Sequence, residues 1–147
     1  MAAEAVLHDL TFTVAAGEFA LLAGASGSGK STLCRLMNGL IPHLHGGEVG
    51  GFLTVAGRDP RATPTHQMSG AVGLLLQRPD AQCLATTVAR DIAFGPACRG
   101  QDRRTIASRV RETAAWLDID HLLGRAPHTL SGGEQQRVAL AGVLAAR

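Results

Sequence analysis

Gly24-Ala25-Ser26-Gly27-Ser28-Gly29-Lys30-Ser31, followed by Thr32, joins the residue types that hold phosphate at the spacing the task requires. Glycines at 24, 27 and 29 let the backbone curl until several N–H groups face one concavity. A helix that starts directly after the loop adds the positive end of its dipole. Lys30 is placed to reach the outer phosphates, and the Ser31 hydroxyl is placed to ligate Mg²⁺. Gly24, Ala25, Ser26, Gly27, Ser28, Gly29, Lys30, Ser31 and Thr32 are therefore the candidate nucleotide-binding residues. A flexible Gly/Ser loop with a chance lysine is the competing explanation. The bare pattern arises by accident in about one chain in two hundred of this length at average residue usage. An apolar run before the loop and helical periodicity after it narrow that chance further.

The second anchor is Leu130-Ser131-Gly132-Gly133-Glu134-Gln135-Gln136-Arg137. Ser131 and Glu134 have the spacing of a capping box that opens a helix. Gly132 and Gly133 leave that helix start bare, so an external phosphate could approach its N–H groups. Pattern alone leaves both readings standing.

The elements that position these residues follow from periodicity. Leu10, Phe12 and Val14 alternate with Thr11 and Thr13, which predicts a strand; Gly17 sits in a turn of positive φ; and Phe19 to Ala23 reads as a second strand, buried on both faces. Leu33, Leu36, Met37 and Leu40 share a helix face, stopped by Asn38-Gly39 and Pro42. Phe52 to Val55 is a further strand candidate, and the short apolar run Ala71 to Leu76 reads as a second buried strand. From about Thr86 the pattern is helical: Asp102 starts a helix whose face holds Ile106, Val110, Thr113, Ala114 and Leu117, and a last helix follows Ser131. This is an α/β chain with a helical insertion.

Bulk properties set limits. With 147 residues, 46% hydrophobic and 18% charged, the chain suits one globular domain. A net charge of +2 gives no argument for nucleic acid or an anionic membrane as partner. The longest uncharged apolar run, Val138 to Ala146, is about half a membrane span. Cys34, Cys83 and Cys98 form no CxxC pair and read as reduced thiols, core or boundary residues in a cytosolic setting.

The Leu130–Arg137 string resembles the signature motif of the ATP-binding cassette (ABC) family, and with the upstream phosphate loop the chain is identified as a member of it. The resemblance implies a P-loop NTPase fold: a RecA-like parallel sheet, an N-terminal antiparallel hairpin and a helical subdomain. It divides the chain into a Walker A core at 1–77, a helical subdomain at 78–130 and a signature helix at 131–147. It implies ATP and Mg²⁺ as ligands and a second cassette, as another chain or domain, pairing head to tail. Ser131, Gly132 and Gly133 would then touch the γ-phosphate held by that partner, with Arg137 structural. It also implies a catalytic, Mg²⁺-sensing glutamine at a strand end, and Gln77 matches. A transmembrane transporter subunit is the other implied partner, which puts the protein in the cytoplasm against the inner face of the membrane.

Asn38–His43, Gln77–Gln82 and Val88–Gly95 are similar to the ATPases of energy-coupling factor (ECF) importers, which serve metal ions and vitamins. His43 and His45, in a glycine loop without carboxylates, read as exposed loop residues rather than ligands. The family pattern continues with an apolar strand ending in Asp-Glu, the second Mg²⁺ anchor and the water-orienting carboxylate. No apolar run here ends that way, so the expectation is an incomplete cassette without ATP turnover of its own. The base-stacking aromatic of the family falls around or before Met1, and no aromatic precedes Phe12. Two other readings remain: a non-catalytic remnant of such an ATPase, and a non-transport cassette of the DNA-repair type. The latter separates loop from signature by a long coiled coil, and no heptads lie between them here.

Overall fold

The computed structural model describes residues 5–78 and 81–147. The chain divides into two units, one ending at Val72 and one running from Gly73 to Arg147.

In the first unit the helices are α1 (Lys30–Met37), α2 (Leu40–His43, a turn broken at Ile41) and α3 (Thr65–Met68). α1 buries Leu33 and Leu36, as their spacing predicts. Asn38 ends it and is itself buried, its side-chain amide donating to the Val72 carbonyl at 2.8 Å. Gly39 follows at φ 80, close against Met68, which is fully buried. Arg61 pairs with Asp59 at 2.6 Å and reaches the Gly51 carbonyl at 2.8 Å, tying the glycine loop down.

The second unit contains α4 (Val88–Cys98), α5 (Arg103–Trp116) and α6 (Gly132–Ala145). Their common core is Val88 and Ile92 from α4, Val110 and Ala114 from α5, Val138, Ala141 and Ala145 from α6, and Ile119, Leu122 and Leu130 from the connections. Small residues set the α4–α6 spacing. A Cβ on Gly95 would come within 2.6 Å of Ala146, and one on Gly142 within 3.9 Å of the Asp91 carbonyl. The expected start at Asp102 is present: its carboxylate accepts from the Arg104 and Thr105 N–H groups. At the other end of α6, the Arg109 guanidinium donates to the carbonyls of Ala145 and Arg147, where the helix dipole favours a cation.

The strands do not follow the sequence pattern. Among the described residues the only β pairing is an isolated antiparallel bridge between Val55 and Arg58. The turn at 15–18 forms, with Gly17 at φ 78 and Glu18 N–H donating to the Ala15 carbonyl. The flanking runs carry no ladder, however. Phe19 is 92% exposed, against the expectation of a strand covered on both faces, and Leu76, at the end of the run read as a second buried strand, is exposed as well. The reason is physical: a helix closes its hydrogen bonds within its own segment, whereas a strand exists only through a neighbour. Cys98 is exposed rather than a core thiol.

Candidate functional site

The phosphate-loop residues are brought together in the first unit. The loop runs extended to Gly24 and turns through Gly27 at φ 82 and Gly29 at φ 89. At Gly29 any other residue meets both an unfavourable φ and the Leu7 side chain, 2.6 Å from a would-be Cβ. At Gly24 a Cβ would crowd the Ser28 hydroxyl at 2.9 Å. Lys30 folds back over the loop, its ammonium donating to the carbonyls of Gly24 at 2.8 Å and Ala25 at 2.6 Å and to Ser28 Oγ at 3.3 Å. A positive charge is thus fixed over the curl of the loop. Ser31 is exposed on the first helical turn, and Thr32 beside it is half-buried.

What separates α1 from the other long helices is how its start is satisfied. Thr87 caps α4, Asp102 caps α5, and Ser131 with Glu134 caps α6. α1 begins from Gly29 with no side-chain cap and no acidic residue in its first turn. The first N–H groups of any helix have no acceptor within it, and an anion is their natural partner. Glycine φ values, a folded-over lysine and an uncapped helix start together fit a bound phosphate chain.

The signature residues lie in the second unit. The capping box forms: Ser131 N–H and Oγ each donate to Glu134 Oε2 at 2.7 Å, and Glu134 N–H donates back to Ser131 Oγ at 3.4 Å. The Ser131 hydroxyl, and after it the Ser131 N–H, hold the Glu134 carboxyl below its ordinary pKa, with Arg125 and Arg137 adding positive potential. Ser131, Gly132 and Gly133 are all exposed, and a Cβ on either glycine would meet nothing within 4 Å. Neither glycine has a positive φ. The fold therefore does not demand glycine at either position.

Gln77, also in the second unit, is exposed at a bend directly after residues 73–76. Gly73 packs so closely on α6 that a Cβ there would collide with Val143. Pro79 and Asp80 of the Gln77–Gln82 string lie outside the described residues, as does the Met1 region. Sequence reading assigned no role to Gln82. Its carboxamide accepts from Leu76 N–H at 2.8 Å and donates to the Leu74 carbonyl at 3.1 Å. No periodicity announces such a contact, because it spans a turn rather than an element. His43, read as a plain loop residue, has Nε2 3.1 Å from the Pro60 carbonyl. Among the described residues no group of three or more His, Cys, Asp or Glu side chains could hold a metal ion.

The sequence profile of the ABC transporter family matches residues 7–147. The energy-coupling factor transporter ATP-binding protein EcfA1 of Halalkalibacterium halodurans is 43% identical over 141 residues, covering 95% of this chain and 49% of that protein. A Saccharolobus solfataricus protein, named among the ABC transporter ATP-binding proteins, is 48% identical over 131 residues, 89% of this chain and 25% of its own length. The first such relative, from Vibrio vulnificus, is likewise matched over 24% of its length, so this chain spans a quarter to a half of the proteins it resembles. Among solved structures, cbiO1 from Clostridium perfringens, part of the ABC transporter complex cbiONQ, superposes with a TM-score of 0.71 at 29% identity, over 84% of this chain and 48% of that one. Phosphate loop, signature helix and these likenesses converge, and the chain belongs to the ABC transporter ATP-binding family, with the P-loop fold of its ATPases.

Proposed function

We propose that the chain is the Mg·ATP-binding part of an ABC importer of the ECF type, coupling nucleotide binding and hydrolysis to the transmembrane passage of a small solute of the metal-ion or vitamin class. The observation that carries this reading is the uncapped start of α1 beneath the Lys30 ammonium. Names of relatives support the importer assignment: an energy-coupling factor ATP-binding protein and a component of a cbiONQ complex. The N–H groups at the start of α1 bind phosphate oxygens, Lys30 neutralises the outer phosphates, and Ser31 and Gln77 hold Mg²⁺. Mg²⁺ supplies charge neutralisation of the phosphates. Gly24 to Thr32 form the cradle, and Ser131, Gly132 and Gly133 close over the γ-phosphate of a second cassette. The bare, unobstructed glycines at the start of α6 suit that approach. Transmembrane subunits bring the pair to the inner face of the membrane.

Light scattering of the purified chain with and without Mg·ATP tests the pairing. The expected result is a shift to twice the monomer mass with Mg·ATP, lost in Lys30→Ala and equally in Gly132→Asp. Association that ignores nucleotide, or survives both substitutions, contradicts the head-to-tail arrangement.

A further inference from the structure

We propose that Gln82 is a positioning residue for Gln77: its side-chain amide bonds Leu74 and Leu76 as one residue of a parallel neighbouring strand would, and fixes the segment that carries Gln77. The inference rests on the nucleotide reading above and adds to it a residue that reading does not use.

The geometry is specific. Along an extended chain, the carbonyl of one residue and the N–H of the residue two further on emerge from the same edge. A parallel neighbour bonds that pair with the N–H and the carbonyl of one residue, which belong to two successive peptide groups. Gln82 makes this pair of bonds with Leu74 and Leu76, at 3.1 and 2.8 Å, from a half-buried position. A primary carboxamide presents an acceptor oxygen and a donor N–H side by side, which a single trans peptide does not. Gln77 is the next residue after the clamped Leu76 N–H, so whatever sets the place of Leu76 sets the root of the Gln77 side chain.

The far side of the same loop is also tied down. Leu84 and Ala85 N–H groups both donate to Asp91 Oδ1, at 2.7 and 2.8 Å. Asp91 belongs to α4, whose first N–H groups are themselves bound by the carbonyls of Arg125 and Leu123. Leu74 and Leu76 before Gln77 are therefore held by Gln82, and Leu84 and Ala85 just beyond Gln82 by a helix anchored in the core of its unit. Groups that orient a metal-binding side chain without touching the metal are worth about 10- to 100-fold in metal affinity.

The test uses the full chain with two readouts. The first is amide hydrogen exchange at Leu76, which needs no nucleotide. The second is the factor by which Mg²⁺ strengthens ATP binding. Gln82→Leu, of similar volume and without hydrogen bonds, should release the Leu76 amide and cut the Mg²⁺ factor about 10-fold or more, leaving Mg²⁺-free ATP affinity unchanged. Combined with Gln77→Ala, it should add nothing further, because it acts only through that residue. Gln82→Glu supplies the rescue. Deprotonated, the introduced carboxylate faces the Leu74 carbonyl without a proton to donate; protonated, it has the donor and acceptor of the amide. Leu76 protection in that variant should return as the pH is lowered, whereas wild type shows no such recovery.

Three outcomes overturn the proposal: a Leu76 amide that stays protected in Gln82→Leu, an opened amide with no loss in the Mg²⁺ factor, or an additive double variant. Failure of the underlying nucleotide reading is recognised separately, as ATP affinity that is indifferent to Lys30→Ala.

Discussion

At the scale of single residues, positive charge and bare backbone do the work, and each glycine has its own reason. Gly29 at φ 89 lies against Leu7, while Gly27 at φ 82 has open space around it. Gly27→Ala should therefore cost only the left-handed backbone strain, about 1–2 kcal/mol. Gly29→Ala should cost more, because Leu7 must also move; denaturant unfolding of the two variants checks the order. Gly132 contrasts with both. It has neither positive φ nor a neighbour that a Cβ would strike. Gly132→Ala should leave thermal stability unchanged or slightly raised, since alanine is the better helix former by up to about 1 kcal/mol. It should nonetheless weaken Mg·ATP-driven association, measured by light scattering, because the methyl group stands where the partner's phosphate must approach. A stability loss without an association loss would show that this glycine serves the fold.

At the scale of elements, the helices follow from their caps and faces. The Glu134 carboxyl is held below its ordinary pKa by Ser131. A carboxylate with a lowered folded pKa contributes stability that is present above the unfolded value and lost as pH falls through the folded one. The helical signal of the wild type should consequently fall on acidification below about pH 4.5, and part of that fall should be absent in Glu134→Gln. Asp102, lowered by its bonds to Thr105 and Arg104, shifts in the same direction, in a window that begins lower, below the ordinary aspartate value of 3.8. Circular dichroism across that range checks the sign. Where α4 crosses α6, Gly95→Val forces a side chain into the space Ala146 occupies, with an expected cost of about 1–3 kcal/mol. Ile92→Ala, fully buried in the same core, should cost about 2–5 kcal/mol.

These elements also mark what the sequence made legible. The Asp102 start, the Ser131–Glu134 box, the α1 face and the Asn38-Gly39 stop all depend on contacts within a few residues, so periodicity and cap chemistry reveal them. Phe19 to Ala23 and Phe52 to Val55 carry a strand pattern whose realisation depends on a neighbour, and no local signal says whether that neighbour is present. The loop at 24–32 was readable down to its glycines because the chemistry of phosphate binding dictates them. Gln82 was not, since its partners at 74 and 76 lie across a turn. Asn38 was readable as a helix stop but not as the donor to Val72.

At the scale of the molecule, the phosphate loop belongs to one unit, and Gln77 and the signature helix belong to the other. Within the second unit, Gln77 and Ser131 are joined through Gln82, Asp91, α4 and α6, so Gln77 and the residues proposed to face the partner's phosphate share one packed body. Among the described residues no helix is long and apolar enough to cross a membrane. Everything in this account depends on the loop at 24–32 holding the phosphates of ATP. The most direct test is equilibrium binding of Mg·ATP to the purified chain and to Lys30→Ala, with circular dichroism to verify that both are folded. Saturable binding by wild type, weakened at least about tenfold by removal of a charge-assisted contact, is the predicted result. A folded wild type that does not bind Mg·ATP, or binds it as tightly as Lys30→Ala does, would contradict the account.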